Sequence, residues 1–454
     1  MKTKIIYASE RAVLDSNVIT GGGTDDTAAI QSILDEATEE TAIRLIMDGA
    51  ALITHICVHS HTTIECLNKS CGFYQIDHTD MPLVTNDSVA SYDIVDEDIS
   101  LIGGTYNQNC STQAHDTKFR YPFITYANGK AGFATDNIEQ YNLCLAFFGI
   151  SELLIRDITI RAFRTFALTV GNFKNVTVED VHLELAHHMN GNQDGFHFWG
   201  PGQYLTVRNC GGSVSDDIMN IGPDEIDRCS SITDVLVDGL FLDDAEQAVR
   251  LLSRGTGVLD RVTIRNVIGQ YRSYGFYIDP WFPDGTMGKF GHIFIENVEL
   301  KEHKPTYTYH PPVLLSFGGD VECLTLKNFR HHAPLDNRTL FEFGLPYYNT
   351  HPSTIDDLDI PEQKIKTVII DGLTILEDAN DPIGTDYIKV YKPIDTMVLK
   401  NVYVNKEQEP NGHLVNFGRD GEIRNLIASE VYTKGLLNLF SDETKIKLRR
   451  KSEL

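Results

Sequence analysis

Three aspartates carry the first chemical signal in this chain. Asp216 and Asp217 stand side by side at the mouth of an apolar run, in SDDIMNI, and Asp194 precedes Asp216 by 22 residues, in NQDG. A strand sends consecutive side chains to opposite faces. In a regular strand one of the paired carboxylates would enter a core, where an unpaired charge is costly. A turn at Asp216, with Asp217 at the strand entrance, lets both face outward. Clustered carboxylates also divide their labour: like charges raise one pKa, so one group keeps its proton while another stays ionised. Acid/base cleavage of a glycosidic bond needs such a pair.

Other side chains recur at similar intervals. Arg250, in EQAVRLL, lies 34 residues beyond Asp216, and Tyr274, in SYGF, lies 24 beyond Arg250. Asn192 opens the NQDG phrase. In the FHFW that follows, alternation puts Phe196 and Phe198 on one face and His197 and Trp199 on the other. The phenylalanines read as core, so His197 and Trp199 read as exposed, substrate-facing groups. Asp224 and Glu225, in GPDE, read as a solvated loop. Trp281, in DPWFPDG, reads equally as a sugar platform or a loop anchor.

Residues 22 to 34 apart meet only if the backbone returns at that interval, and a repeat does so. Alternating apolar positions broken by Asp or Asn recur at Asp157, Asp180, Asn209, Asp238, Asn266, Asn297, Asn328, Asp371 and Asn401, and faintly at Asn425, in steps of 23 to 43 residues. The two-residue period with Val, Ile, Leu and Thr indicates strands. The steps lack the helical periodicity of a βαβ unit. Short strands separated by Gly, Asn, Asp and Ser predict an all-β chain, a right-handed parallel β-helix (a solenoid), over residues 1–454 as a single domain. The repeated Asn or Asp suits a turn with positive φ, and stacking predicts a ladder in which each satisfies its neighbour's backbone. A propeller would carry four strands in a longer unit. Residues 18–50 read as an N-terminal cap whose helix, TAAIQSILDEA, puts Ile30, Ile33 and Leu34 on one face. Residues 107–150 and 340–365 depart from the repeat and read as inserted loops.

Composition narrows the function. The net charge of -25 repels phosphate backbones, so nucleic acid is excluded as a partner. No apolar run reaches the length of a membrane span. The N-terminus lacks the apolar segment of a secretory signal, which predicts a cytoplasmic protein. The eight cysteines are thinly spread and show no zinc spacing. They predict free thiols, with Cys210–Cys229 the one candidate bridge, and no metal or cofactor.

These phrases together resemble the polygalacturonases and their relatives, glycoside hydrolase family 28 of the pectin-lyase-like β-helices, over about residues 18–300. NQDG resembles that family's NTDG, SDDIMNI its GDD phrase, AVRL the start of its RIK phrase and SYGF its later tyrosine strand. GTDDTAAIQ resembles the cap phrase of the wider superfamily. The resemblance implies an inverting hydrolase with a carbohydrate substrate. Asp216 would protonate the leaving oxygen, Asp194 and Asp217 would activate water, and Arg250 and Tyr274 would bind sugar, with Asn192, His197 and Trp199 beside them. Inversion implies carboxyls about 6.5–9.5 Å apart. Two departures stand out. No histidine lies between His197 and His292, where the family has GHG, and Leu252 replaces the lysine of RIK, which with the net charge points away from galacturonate. The insertion at 107–150 predicts a pocket and exo-action. Competing readings are a polysaccharide lyase or epimerase, and a non-catalytic carbohydrate-binding protein like a phage tail spike.

Overall fold

The computed structural model describes residues 1–91, 95–119, 121, 141–189, 192–227, 229–253, 255–279, 288–303, 312–331, 339–344, 362–377, 386–407 and 409–451. Trp281, residues 120 and 122–140 of the first insertion and residues 345–361 of the second lie outside them. The chain divides into two compact units, Met1–Asn220 and Ile221–Leu454. Both are built of parallel β-strands stacked coil upon coil, which is the parallel β-helix predicted.

In the N-terminal unit, Lys2–Tyr7 pairs with Thr41–Met47, Thr41–Met47 with Thr62–Cys66, and Thr62–Cys66 with Asp96–Ile102. The same face continues through Leu145–Arg156 and Leu168–Glu179 to Phe196–Ser213. A second face stacks Ala50–Ile53, Gly72–Gln75, Thr105–Asn107, Thr159–Arg161 and His182–Glu184. The α-helix Thr27–Leu34 buries Ile30, Ile33 and Leu34 against the first coil, as their spacing predicts. Asp25 accepts the Thr27 N–H at 2.9 Å, while Asp26 turns back to the N–H groups of Val13 (2.7 Å) and Leu14 (2.9 Å). The carboxylates thereby tie the helix to the segment before it.

In the C-terminal unit one face stacks seven long strands from Ile232–Asp244 to Glu422–Lys434, closed by Ile446–Lys451. Register aligns Val235, Val262, Ile293, Leu324, Val368, Met397 and Leu426 in one inward row, each at most 3% exposed. Such burial is worth roughly 1.5–3 kcal/mol per side chain before entropy is charged.

The turn positions differ from the sequence reading at three places. Positive φ occurs at Asp157, Asp180, Asn209, Asn266, Asn297, Asn328 and Asn401, but at Gly239, Gly372 and Glu430 rather than Asp238, Asp371 and Asn425. Where Gly follows Asp, Gly takes the left-handed position because it has no Cβ to strain. The ladder also runs between side chains rather than to backbone. The amide of Asn266 donates to Asp238 (2.6 Å), Asn297 to Asn266 (3.1 Å), Asn328 to Asn297 (3.1 Å) and Asn401 to Asp371 (2.6 Å).

All eight cysteines are free, Cys210 and Cys229 included. Among the described residues no helix is long and apolar enough to cross a membrane.

Candidate functional site

The three aspartates belong to the last coils of the N-terminal unit. The Gln193 carbonyl accepts from the N–H of both Ser215 (3.2 Å) and Asp216 (3.3 Å), and the Gly195 N–H donates to the Asp217 carbonyl at 2.8 Å. The 22-residue spacing is therefore one coil. Gly195 faces Ile218 so closely that a Cβ on it would lie 2.5 Å from the Ile218 carbonyl oxygen. Between these contacts one chain advances from Gln193 to Gly195 while its neighbour advances from Ser215 to Ile218. Two successive N–H groups thus share the Gln193 carbonyl, and the backbone of the Asp pair lies on the coil next to Asp194.

Burial departs from the sequence reading. Asp194 is 3% exposed and Asp217 1%, so neither stands on an open surface, while Asp216 is half-buried. Asp194 Oδ2 lies 2.9 Å from His197 Nδ1, and the Asn220 amide donates to Asp217 Oδ2 at 3.4 Å. Both contacts come from the outward positions of the strands that follow the carboxylates.

His197 and Trp199 are also buried, at 2% and 1%, against the expectation of exposed groups. Alternation does point them away from Phe196 and Phe198, but an aromatic layer covers that face. Phe166 stacks on His197 with centroids 4.1 Å apart, and Phe148 stacks on Trp199 at 5.7 Å. Tyr121 and Tyr141, from the 107–150 insertion, reach Phe148 and Phe166. A period-two pattern tells which side a residue faces and is silent on what a distant insertion lays over it. Gly171 sits in register between Phe148 and Trp199, and its missing Cβ leaves the space through which the rings meet.

Asn192 takes φ 53°, which makes it a turn residue at the entry to this strand. Sequence reasoning missed its neighbour Gln193. That buried amide accepts from the Met189 N–H (2.6 Å) and donates to the carbonyls of Phe163 (2.9 Å) and His187 (3.2 Å), holding the turn that presents Asp194.

By sequence the chain matches no known family, and no curated protein matches it either. Solved structures do match. The family 28 exopolygalacturonase of Yersinia enterocolitica covers 100% of this chain and 79% of its own, with a TM-score of 0.53 at 12% identity. The tailspike protein double mutant of E. coli bacteriophage HK620 covers 94% and 75%, with a TM-score of 0.52 at 10% identity. The N-terminal fragment of bacteriophage Phi29 gene product 12 covers 96% and 71%, at 0.51 and 11%.

The fold is the parallel β-helix. Hydrolases and phage tail proteins share it, so the fold by itself assigns no activity.

In the C-terminal unit of this β-helix, Arg250 and Tyr274 meet through a residue the sequence reading passed over. The Arg250 guanidinium lies over the Tyr277 ring at 5.2 Å, and Tyr277 stacks on Tyr274 at 4.1 Å with the rings 3° from parallel. Arg250 Nη2 is 4.0 Å from Asp279 Oδ1. Burial drives the Tyr277 hydroxyl far above its ordinary range, with the Asp279 charge adding to it. Tyr277 therefore remains neutral. Arg250 pairs in register with Tyr277, Tyr277 with Ser316 and Ser316 with Glu342, an outward polar row across successive coils.

Asp224 and Glu225, read as a solvated loop, are 0% and 7% exposed. Asp224 Oδ2 accepts the N–H groups of Gly255 (2.6 Å) and Gly257 (3.2 Å), which makes it the anchor of a neighbouring loop.

Proposed function

We propose that this β-helix is an inverting glycoside hydrolase, with Asp216 as general acid and Asp194 and Asp217 activating water. One observation supports this reading above the others. The backbone of Gln193 and Gly195 bonds directly to that of Ser215, Asp216 and Asp217, so the segments that carry the three aspartates lie on adjoining coils. Asp216 is half-buried and would deliver the proton to a leaving oxygen, while Asp194 and Asp217 are buried and sheltered from bulk water. Arg250, Tyr274 and Tyr277 form the sugar-contacting set of the C-terminal unit, since stacked rings and a guanidinium suit sugar faces and hydroxyls. Leu252 in place of a second cation, with the net charge of -25, favours a neutral or weakly charged glycan.

The near-complete burial of Asp194 and Asp217 favours one competing reading, a non-catalytic carbohydrate-binding protein in which the aspartates organise a turn. Reducing-end release over a panel of oligosaccharides, with NMR of the anomer first formed, separates the two. Hydrolysis with inversion is the expected result. Binding without cleavage across the panel would establish the competing reading.

A further inference from the structure

We propose that Cys57, His59 and Asp87 form a divalent-metal site of the zinc class, with Asp35 orienting the histidine. The sequence shows no such pattern, because one ligand comes from the next coil. Cys57 and His59 are two residues apart along an extended segment, so they face the same side. The strand Ile56–Val58 pairs in parallel with Val84–Asn86, with Val58 opposite Asn86. The next step in each chain brings His59 level with Asp87.

One sulfur, one nitrogen and one oxygen result, all within 4.8 Å of one another. Cys57 Sγ lies 3.3 Å from Asp87 Oδ1, and His59 Nδ1 lies 2.5 Å from Asp87 Oδ2. Zinc bonds of about 2.0–2.3 Å in tetrahedral geometry place ligand atoms roughly 3.3–3.8 Å apart, so a small opening of the His59–Asp87 contact admits the ion. Thiolate with imidazole selects zinc-like metals over calcium or magnesium, which take oxygen ligands. Three protein ligands leave a fourth position for water.

The surroundings have the layout of a metal centre's outer shell. Asp35 Oδ1 lies 2.9 Å from His59 Nε2, so the ring nitrogen turned away from the site is held by a carboxylate. Gln31 braces both parts. Its amide donates to Asp35 Oδ1 (2.8 Å) and to the Cys57 carbonyl (2.9 Å), and accepts the Cys57 N–H (2.9 Å). The side chains of His59 and Asp87 are 26% and 41% exposed, which leaves a path for an ion to enter. On binding, the Cys57 thiol and the His59 Nδ1–H each give a proton to solvent, while Nε2 keeps the hydrogen it donates to Asp35.

The test uses the full chain without a polyhistidine tag. Zn²⁺ is titrated in competition with a chromogenic chelator, and Co²⁺ is followed by absorbance. One ion per chain is expected, with a thiolate-to-cobalt charge-transfer band. Cys57→Ser and His59→Gln should each lose at least about 100-fold in affinity, and Asp35→Asn about 10–100-fold, the usual effect of losing an outer partner. The Cys57→Ser protein should show no thiolate band, which separates this site from the seven other cysteines. Melting curves without metal establish that each variant is folded, and Asp35→Asn, outside the ligand set, serves if a ligand variant is not. Absence of binding, equal affinity in the wild type and Cys57→Ser, or a cobalt spectrum without thiolate character overturns the proposal.

Discussion

His197 Nδ1 lies 2.9 Å from Asp194 Oδ2, and both residues are shut away from solvent. When Asp194 is ionised its carboxylate can only accept, and Nδ1 then carries the hydrogen. The ring is held flat against Phe166 and cannot turn without losing that stack. Asp194 is thus a carboxylate whose orientation is set by a histidine, which is itself set by an aromatic layer.

In the hydrolase reading this separates the aspartates by role. Asp216→Asn should lower turnover by about 10² to 10⁴-fold, since an amide cannot donate the proton. The loss should shrink for a nitrophenyl glycoside, which departs without protonation. Asp194→Asn should lose as much and be rescued little, because water activation is what fails. Rates on aryl glycosides of graded leaving-group pKa check this, and identical responses of the two variants would refute the assignment.

Gly171→Ala places a methyl 2.7 Å from the Phe148 ring and 3.4 Å from Trp199 Cβ. The Phe148–Trp199 stack must open. Thermal unfolding should show a loss of about 1–3 kcal/mol, the usual cost of overpacking, together with a changed tryptophan emission.

Arg250→Lys keeps the charge and removes the planar group over Tyr277. A cation–π contact of this kind is worth about 0.5–2 kcal/mol. If Arg250 acts through Tyr277 on bound sugar, KM or the glycan Kd should rise about 3–30-fold, with the melting temperature nearly unchanged. A fall in melting temperature without change in glycan affinity would make Arg250 a structural residue.

Asn297 accepts from Asn328, donates to Asn266 and holds φ 56°. Asn297→Ala loses the ladder and strains the left-handed turn, at about 1–2 kcal/mol for the backbone and about 1 kcal/mol for each net hydrogen bond. Asn297→Gly loses only the ladder. Denaturant unfolding should therefore rank Ala as the more damaging change, and equal losses in the two variants would show that the ladder, not the turn, dominates.

Burial pushes the Glu342 carboxyl above its ordinary value of 4.5, although Lys389 and the Tyr391 hydroxyl partly offset it. The folded state then holds a proton that the unfolded chain releases. Stability from this group is full below pH about 4.5 and is lost as pH rises through the raised folded value. Glu342→Gln should unfold at a higher temperature than the wild type near neutral pH and lose that advantage toward pH 4. Melting curves across pH check the sign.

The solenoid was legible because its signal is local and repeated. Two-residue alternation around Asp157, Asn266 or Asn297 needs no knowledge of distant chain, and 22 residues between Asp194 and Asp216 convert to one coil once the repeat is seen. The amphipathic helix with Ile30, Ile33 and Leu34 was legible for the same reason. Exposure was not. His197 and Trp199 face outward as their pattern requires, yet Phe148, Phe166, Tyr121 and Tyr141 cover them, and burial is a property of everything that packs on a face. Nor was the sharing of the Gln193 carbonyl by Ser215 and Asp216, because a backbone contact between coils is defined only against the partner segment. The same holds for Cys57, His59 and Asp87, which the sequence keeps 30 residues apart from first to last. Parallel strands lie about 4.8 Å apart, so one turn of the β-helix closes that distance to a few ångströms.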